Sequence, residues 1–121
     1  MQLEELNTYG FDPESGLTRC LNDKKLYSSL LSLFLHDTAF SSAEAAIGQQ
    51  NYTAAFDCLH DLKGISGNLG MTALYNATSV LVEALRGGRP PAEPLQAQLS
   101  ALKEAYTLTC NGIRRLLSAE A

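Results

Sequence analysis

His60 and Lys63, a nucleophile and a cation three residues apart, are placed to act together. They stand in the run Ala55-Phe56-Asp57-Cys58-Leu59-His60-Asp61-Leu62-Lys63-Gly64-Ile65-Ser66-Gly67-Asn68-Leu69-Gly70. On a helix, His60, Lys63, Gly64 and Gly67 fall at i, i+3, i+4 and i+7, which is one face. A neutral imidazole is a good nucleophile near neutral pH, since its unperturbed pKa is about 6.5. It can take a phosphoryl group from an aspartyl phosphate, a transfer that depends on alignment and charge neutralisation. An ammonium one turn away supplies positive charge for the phosphoryl oxygens.

The two glycines sharpen this reading. Each costs about 1 kcal/mol relative to Ala in a helix interior. Either close helix packing or bare backbone for another protein to approach must offset that loss. A shared face with a His and a Lys favours the second. Asp57, one turn before His60, is a candidate to hold an imidazole N–H. Asp61, adjacent in sequence, is expected to point elsewhere. Leu59, Leu62, Ser66 and Leu69 form a core stripe beside the reactive face.

The elements that must position this segment are helical almost throughout. Residues 1–11 read as a tail or packed lead-in. Asp12-Pro13-Glu14 is a helix start, with a capping residue, a first-turn Pro and an acid at the positive end. That short helix is expected to stop near Asn22-Asp23. A second helix is expected from Lys24 to Phe40, its stripe made by Leu26, Leu30, Leu33 and Phe34 and widened by Tyr27 and Leu31. Ser41-Ser42 opens a short small-residue stretch that Gly48 breaks. Asn51 caps the reactive helix, and Gly70 is placed to close it in the left-handed conformation. Thr72 is expected to cap the next helix, with Leu74, Ala77, Thr78, Leu81 and Leu85 on its apolar side. Gly87-Gly88 ends it, and Arg89-Pro90-Pro91 makes a stiff connection. The last helix carries one seam through Leu95, Leu99, Leu102, Tyr106, Thr109, Ile113 and Leu116. Substantial amphipathic helices with short connections imply an all-α, antiparallel up-down four-helix bundle with an additional short N-terminal helix. The chain reads as one domain over 1–121, with a lead-in over 1–11 and the bundle over 12–118.

Composition narrows the function classes. The formal net charge is −4 and the nine Lys and Arg are scattered, so no nucleic-acid track is present. Hydrophobic residues make up 45% and charged residues 18%, an ordinary globular balance. No apolar run is long enough to span a membrane. Cys20, Cys58 and Cys110 lack the spacing of a zinc site or a disulfide framework, and Cys58 is read as a small buried residue. His36 has no chemical context and is read as a surface or boundary residue. No Gly-rich nucleotide loop or kinase signature occurs, so ATP-dependent catalysis is not expected.

The run from His60 to Gly70 closely resembles the signature of histidine-phosphotransfer (HPt) domains, H-x-L-K-G-x-[SA]-x-x-L-G. Upstream, Gly16-Leu17, Arg19, Asp23, Leu26-Tyr27, Leu30-Leu31 and Phe34 resemble the family's lead-in to its second helix. Downstream, Leu81 and Glu83-Ala84-Leu85-Arg86-Gly87 resemble the end of its fourth. Asn22 stands where a Gly is common, and Val82 where an acidic residue is expected, which would make that patch more apolar. The resemblance implies a bundle whose exposed histidine accepts a phosphoryl group from one receiver domain and passes it to another. It carries the phosphorylated residue over to His60, the assisting Lys to Lys63 and the two small residues to Gly64 and Gly67.

Partner contact is expected at Gly64, Gly67 and Asp57. Pairing of the second and third helices would add Leu31 or Leu35 near the level of His60. The expected partners are receiver domains of a hybrid sensor kinase and of a response regulator. The chain itself is expected to bind no cofactor, Mg²⁺ being brought by the receiver, and to be a monomer. A cytoplasmic location is expected, as a free protein or as the cytoplasmic C-terminal domain of an inner-membrane sensor kinase. Two other readings stand beside this one. A receiver-docking module that is never phosphorylated would need no nucleophile. A metal- or cofactor-binding bundle would place several carboxylates and histidines inward, and the two histidines here are unsupported by Glu-x-x-His pairs.

Overall fold

Six α-helices follow a short N-terminal 3-10 helix in the computed structural model, which describes residues 2–88, 90 and 92–120, for residue 120 the backbone alone. The 3-10 segment spans Leu3–Tyr9 and buries Leu6 completely, so the lead-in is packed structure. The helices are α1 (Pro13–Arg19), α2 (Lys24–Phe34), α3 (Ala39–Gly48), α4 (Tyr52–Asn68), α5 (Thr72–Arg86) and α6 (Ala92–Glu120). Among the described residues there is no strand. Helix α4 packs against α3 on one side and α5 on the other, and α5 packs against α6. The fold is therefore an all-helical bundle with the His60–Gly67 segment on an element clamped from two sides.

Local chemistry explains most boundaries. The Asp12 carboxylate accepts from the Ser15 N–H, that of Asp23 from Leu26, and the Asn51 side chain from Ala54, each a capping bond that satisfies an orphan donor. Leu21 and Asn22 turn the chain out of α1 with φ of 59° and 58°. Asn22 thus occupies a left-handed position, which explains why Asn can stand where Gly is common.

Four expectations need correction. The helix expected over Lys24–Phe40 is two helices. The last turn of α2 tightens into i−3 bonds from Leu35, His36 and Asp37, and the Asp37 carboxylate then accepts from the Ala39 N–H at 2.8 Å and starts α3. The buried stripe of α2 is Tyr27, Leu31 and Phe34, while Leu33 is 64% exposed and Leu26 also faces outward. Gly48 does not break α3, which includes it; the turn is made by Gln50 at φ +57°. Thr72 does not cap α5 with its side chain. The Ala73 N–H instead donates to the Gly10 carbonyl at 2.9 Å, so the lead-in satisfies that helix start. Arg89 and Pro91, part of the expected stiff connection, lie outside the described residues.

The break between α2 and α3 is sealed from the far side of the bundle. Tyr106 of α6 stacks on Phe40 with ring centroids 4.3 Å apart and tilts against Phe34 at 5.9 Å. Burial, with the neighbouring Cys110, pushes the Tyr106 hydroxyl up to about 12. Tyr27 is fully buried, donates to the Leu69 carbonyl at 2.7 Å, and has its ionisation pushed well above the ordinary range, first by burial. Both hydroxyls are neutral in the folded chain at pH values where an unfolded tyrosine ionises, near about 10. The stability they contribute is therefore complete below about pH 10 and falls as pH rises toward their folded values. A near-ultraviolet tyrosine titration with parallel circular dichroism should show these two ionising late, with alkaline unfolding; early titration of all five tyrosines in a folded chain would contradict this.

Helix α4 ends in a Schellman arrangement, with Met71 N–H donating to the Ser66 carbonyl at 2.9 Å and Gly70 at φ +69°. A Cβ on Gly70 would lie 2.3 Å from the Asp12 carbonyl oxygen. Gly70→Ala is expected to cost more than about 2 kcal/mol, read as a lower urea midpoint.

Candidate functional site

His60 and Lys63 stand on the middle turns of α4. Ala55, Leu59, Leu62 and Ser66 bury one side of this helix, and that leaves His60 exposed and Lys63 half-buried on the neighbouring face. His60 and Lys63 line an open groove of about 910 Å³ together with Gly64 and Gly67, so the expected face is assembled. Asp37, Thr38, Ala39 and Ser42 at the α2–α3 junction and Arg19 of α1 line it as well.

Both polar groups lie against aromatic rings. The His60 imidazole lies nearly parallel to the Phe56 ring, at 11° with centroids 6.1 Å apart. The Lys63 ammonium sits 5.8 Å from the centre of the Tyr75 ring of α5, within cation–π range. On the far side of the histidine, the Arg86 guanidinium lies 5.6 Å from the Phe56 centroid. Arg86 in turn donates to the Glu83 carboxylate at 3.0 and 3.2 Å, and these hydrogen bonds hold that carboxyl below its usual range.

The two glycines have different reasons. A Cβ on Gly64 would meet nothing within 4 Å, so its backbone is bare toward the groove. One on Gly67 would lie 3.2 Å from the Tyr75 ring, so this glycine admits a close helix contact. The Gly67 carbonyl also accepts from the Arg19 guanidinium.

Other sequence expectations fare differently. Leu31 is 0% exposed in the core, where Tyr27 and Phe34 face the same way, and cannot offer a partner surface. Leu35 is half-buried against the core and does not line the groove, because the chain has already turned into the α2–α3 junction at that level. Asp57 is exposed, and among the described residues no hydrogen bond joins it to His60; Phe56 is the neighbour against the ring. Asp61 does not point away from the site: it lines the groove beside His60. Cys58 is half-buried and lines it as well, while Cys20 and Cys110 are buried. Val82 is fully buried, so its apolar character serves the core and makes no surface patch. Sequence reasoning did not reach Tyr75 or the α2–α3 junction, and it named Arg19 and Arg86 only as matches to the family pattern; all approach from other helices. Phe56 was within reach, since it precedes His60 by one turn.

Fold and groove define a helical module built around a solvent-facing histidine with a lysine on the same face. The chain belongs to the Hpt domain family, whose model matches residues 29–112. Members of this family are phosphotransfer modules of two-component phosphorelays, engage receiver domains and have no kinase activity of their own. No curated protein and no solved structure matched the chain. Among the described residues no helix is long and apolar enough to cross a membrane.

The contrast between the glycines gives a stability prediction. Gly64→Ala should raise stability by up to about 1 kcal/mol, because helix propensity improves with no contact to disturb. Gly67→Ala should gain less, since the Tyr75 ring must give way. Paired urea titrations read the difference, and equal gains would contradict the assignment.

Proposed function

We propose that His60 is the residue that carries the phosphoryl group, accepting it from the aspartyl phosphate of one receiver domain and passing it to the aspartate of another. The observation that carries this reading is the exposed imidazole sharing an open groove with Lys63 and the bare backbone of Gly64. The ring nitrogen that holds a lone pair attacks phosphorus. The N–P bond forms as the P–O bond to the aspartate breaks, and the carboxylate leaves with the electron pair. The proton on the second ring nitrogen is then free to depart. The reverse sequence delivers the group to the next receiver.

Lys63 balances charge on the transferring oxygens, and its contact with the Tyr75 ring keeps the ammonium at the groove. Gly64 lets the receiver backbone come close, because no side chain stands between the partner and the helix. Mg²⁺ comes with the receiver. The partners are the receiver domain of a hybrid sensor kinase and that of a response regulator, and the chain acts as a cytoplasmic monomer. The α2–α3 segment with α4, α5 and α6 forms an up-down four-helix arrangement that keeps α4 rigid during docking, with the short N-terminal helix added to it. Release must be easy, because one face serves successive partners, so local complementarity at the groove matters more than large buried area.

A phosphorylated receiver incubated with the chain should label it, and His60→Gln should remove the label while leaving the circular dichroism spectrum unchanged. Lys63→Ala should slow transfer by about tenfold to a hundredfold, the loss of one charge contact in the transition state. Persistent label in the His60→Gln chain would reject the assignment.

A further inference from the structure

Phe56 is half-buried and precedes His60 by four residues. Side chains on a helix lean toward its N-terminus, so the imidazole at 60 is directed back over position 56. The rings meet nearly parallel, within the separation at which offset aromatic pairs attract. Phe56 is not left to rotate. The Arg86 guanidinium lies over its ring, and Glu83, one turn earlier on α5, accepts from Arg86 Nε and Nη2. A carboxylate, a guanidinium, a phenyl ring and an imidazole thus follow one another from α5 to α4.

We propose that Phe56, steadied by Arg86, is a positioning residue that sets the direction of the His60 imidazole; the consequence for transfer rests on His60 being the phosphorylated residue. The nitrogen lone pair of an imidazole lies in the ring plane. A ring packed against its face restricts rotation and leaves the in-plane edge open to a phosphoryl donor. An exposed histidine without that contact would sample several rotamers, and each encounter would meet the reactive one only part of the time. Phe56 itself moves no proton and touches no phosphoryl oxygen.

The experiment uses the full chain with two phosphodonors, phosphoramidate as a small molecule and a phosphorylated receiver, together with NMR of the imidazole protons. Phe56→Leu should slow labelling by both donors about threefold to tenfold and move the His60 imidazole resonances toward those of a free histidine, as the phenyl ring current is lost. Phe56→Tyr should restore both rate and resonances, and Arg86→Gln should shift the resonances in the same direction by less. Slower labelling with unmoved imidazole resonances would mean a merely structural effect and overturn the proposal, as would parental rates in Phe56→Leu. Failure of the parent chain to label at His60 would instead remove the phosphotransfer reading, and the imidazole resonances would still decide whether Phe56 orients the ring.

Discussion

The carbonyl groups at the C-terminal end of α4 point into a packed region where water cannot serve them all, and the fold around the site follows from how they are answered. Arg19 donates to the Gly67 carbonyl, the Tyr27 hydroxyl to that of Leu69 at 2.7 Å, and the Asp12 N–H to that of Gly70 at 2.8 Å. All three donors come from the N-terminal segment, which precedes the residues matched by the family model. Gly16 lies in the same junction, where an added Cβ would meet the Tyr27 hydroxyl and the Leu69 carbonyl. The N-terminal elements therefore act as a cap for the reactive helix. They fix its end, and the Gly70 carbonyl and Gly10 carbonyl together tie α1 and the lead-in to the turn between α4 and α5.

A fixed end matters because the middle of α4 is weak by composition. Gly64 and Gly67 lower its helix propensity, and the exposed face contributes little burial. The helix persists because Leu59, Leu62 and Ser66 are fully buried between α3 and α5, and because its termini are satisfied by Asn51 at one end and the N-terminal donors at the other. Tertiary packing supplies what propensity lacks, and that permits one face to remain free of bulky side chains.

Much of this was legible in the sequence. The shared face of His60, Lys63, Gly64 and Gly67 followed from spacing alone, since i, i+3, i+4 and i+7 is a local relation. Gly70 and the caps at Asp12 and Asn51 were legible for the same reason. The α2–α3 break was not, because no Gly or Pro stands between Phe34 and Phe40 to mark it. Nothing in that stretch shows Asp37 capturing the Ala39 N–H, and a rotation of the stripe by one position turns Leu33 outward. Leu31 and Leu35 were placed near His60 by assuming a straight helix at that level. Once the chain bends, it is Asp37, Thr38, Ala39 and Ser42 that share the groove with His60. Tyr75 and Arg86 were illegible because their distances from Lys63 and Phe56 are set by how α5 packs on α4, a tertiary relation with no periodic signature.

The division of labour between α4 and α5 follows from a conflict at the groove. A nucleophile that must meet a protein partner has to be exposed, yet exposed side chains rotate, and ordering a rotamer-rich side chain on binding costs roughly 0.5–1.5 kcal/mol. Burial would remove that cost together with access. Aromatic rings at the flank offer a third arrangement, in which Phe56 lies against His60 and Tyr75 against Lys63 while both polar groups still line the groove. Tyr75 meets Gly67 as well as Lys63, so the absence of a side chain at Gly67 is what lets α5 bring its ring close enough to hold the lysine. The second glycine thus admits the ring that meets Lys63, while the first leaves the backbone bare toward the groove.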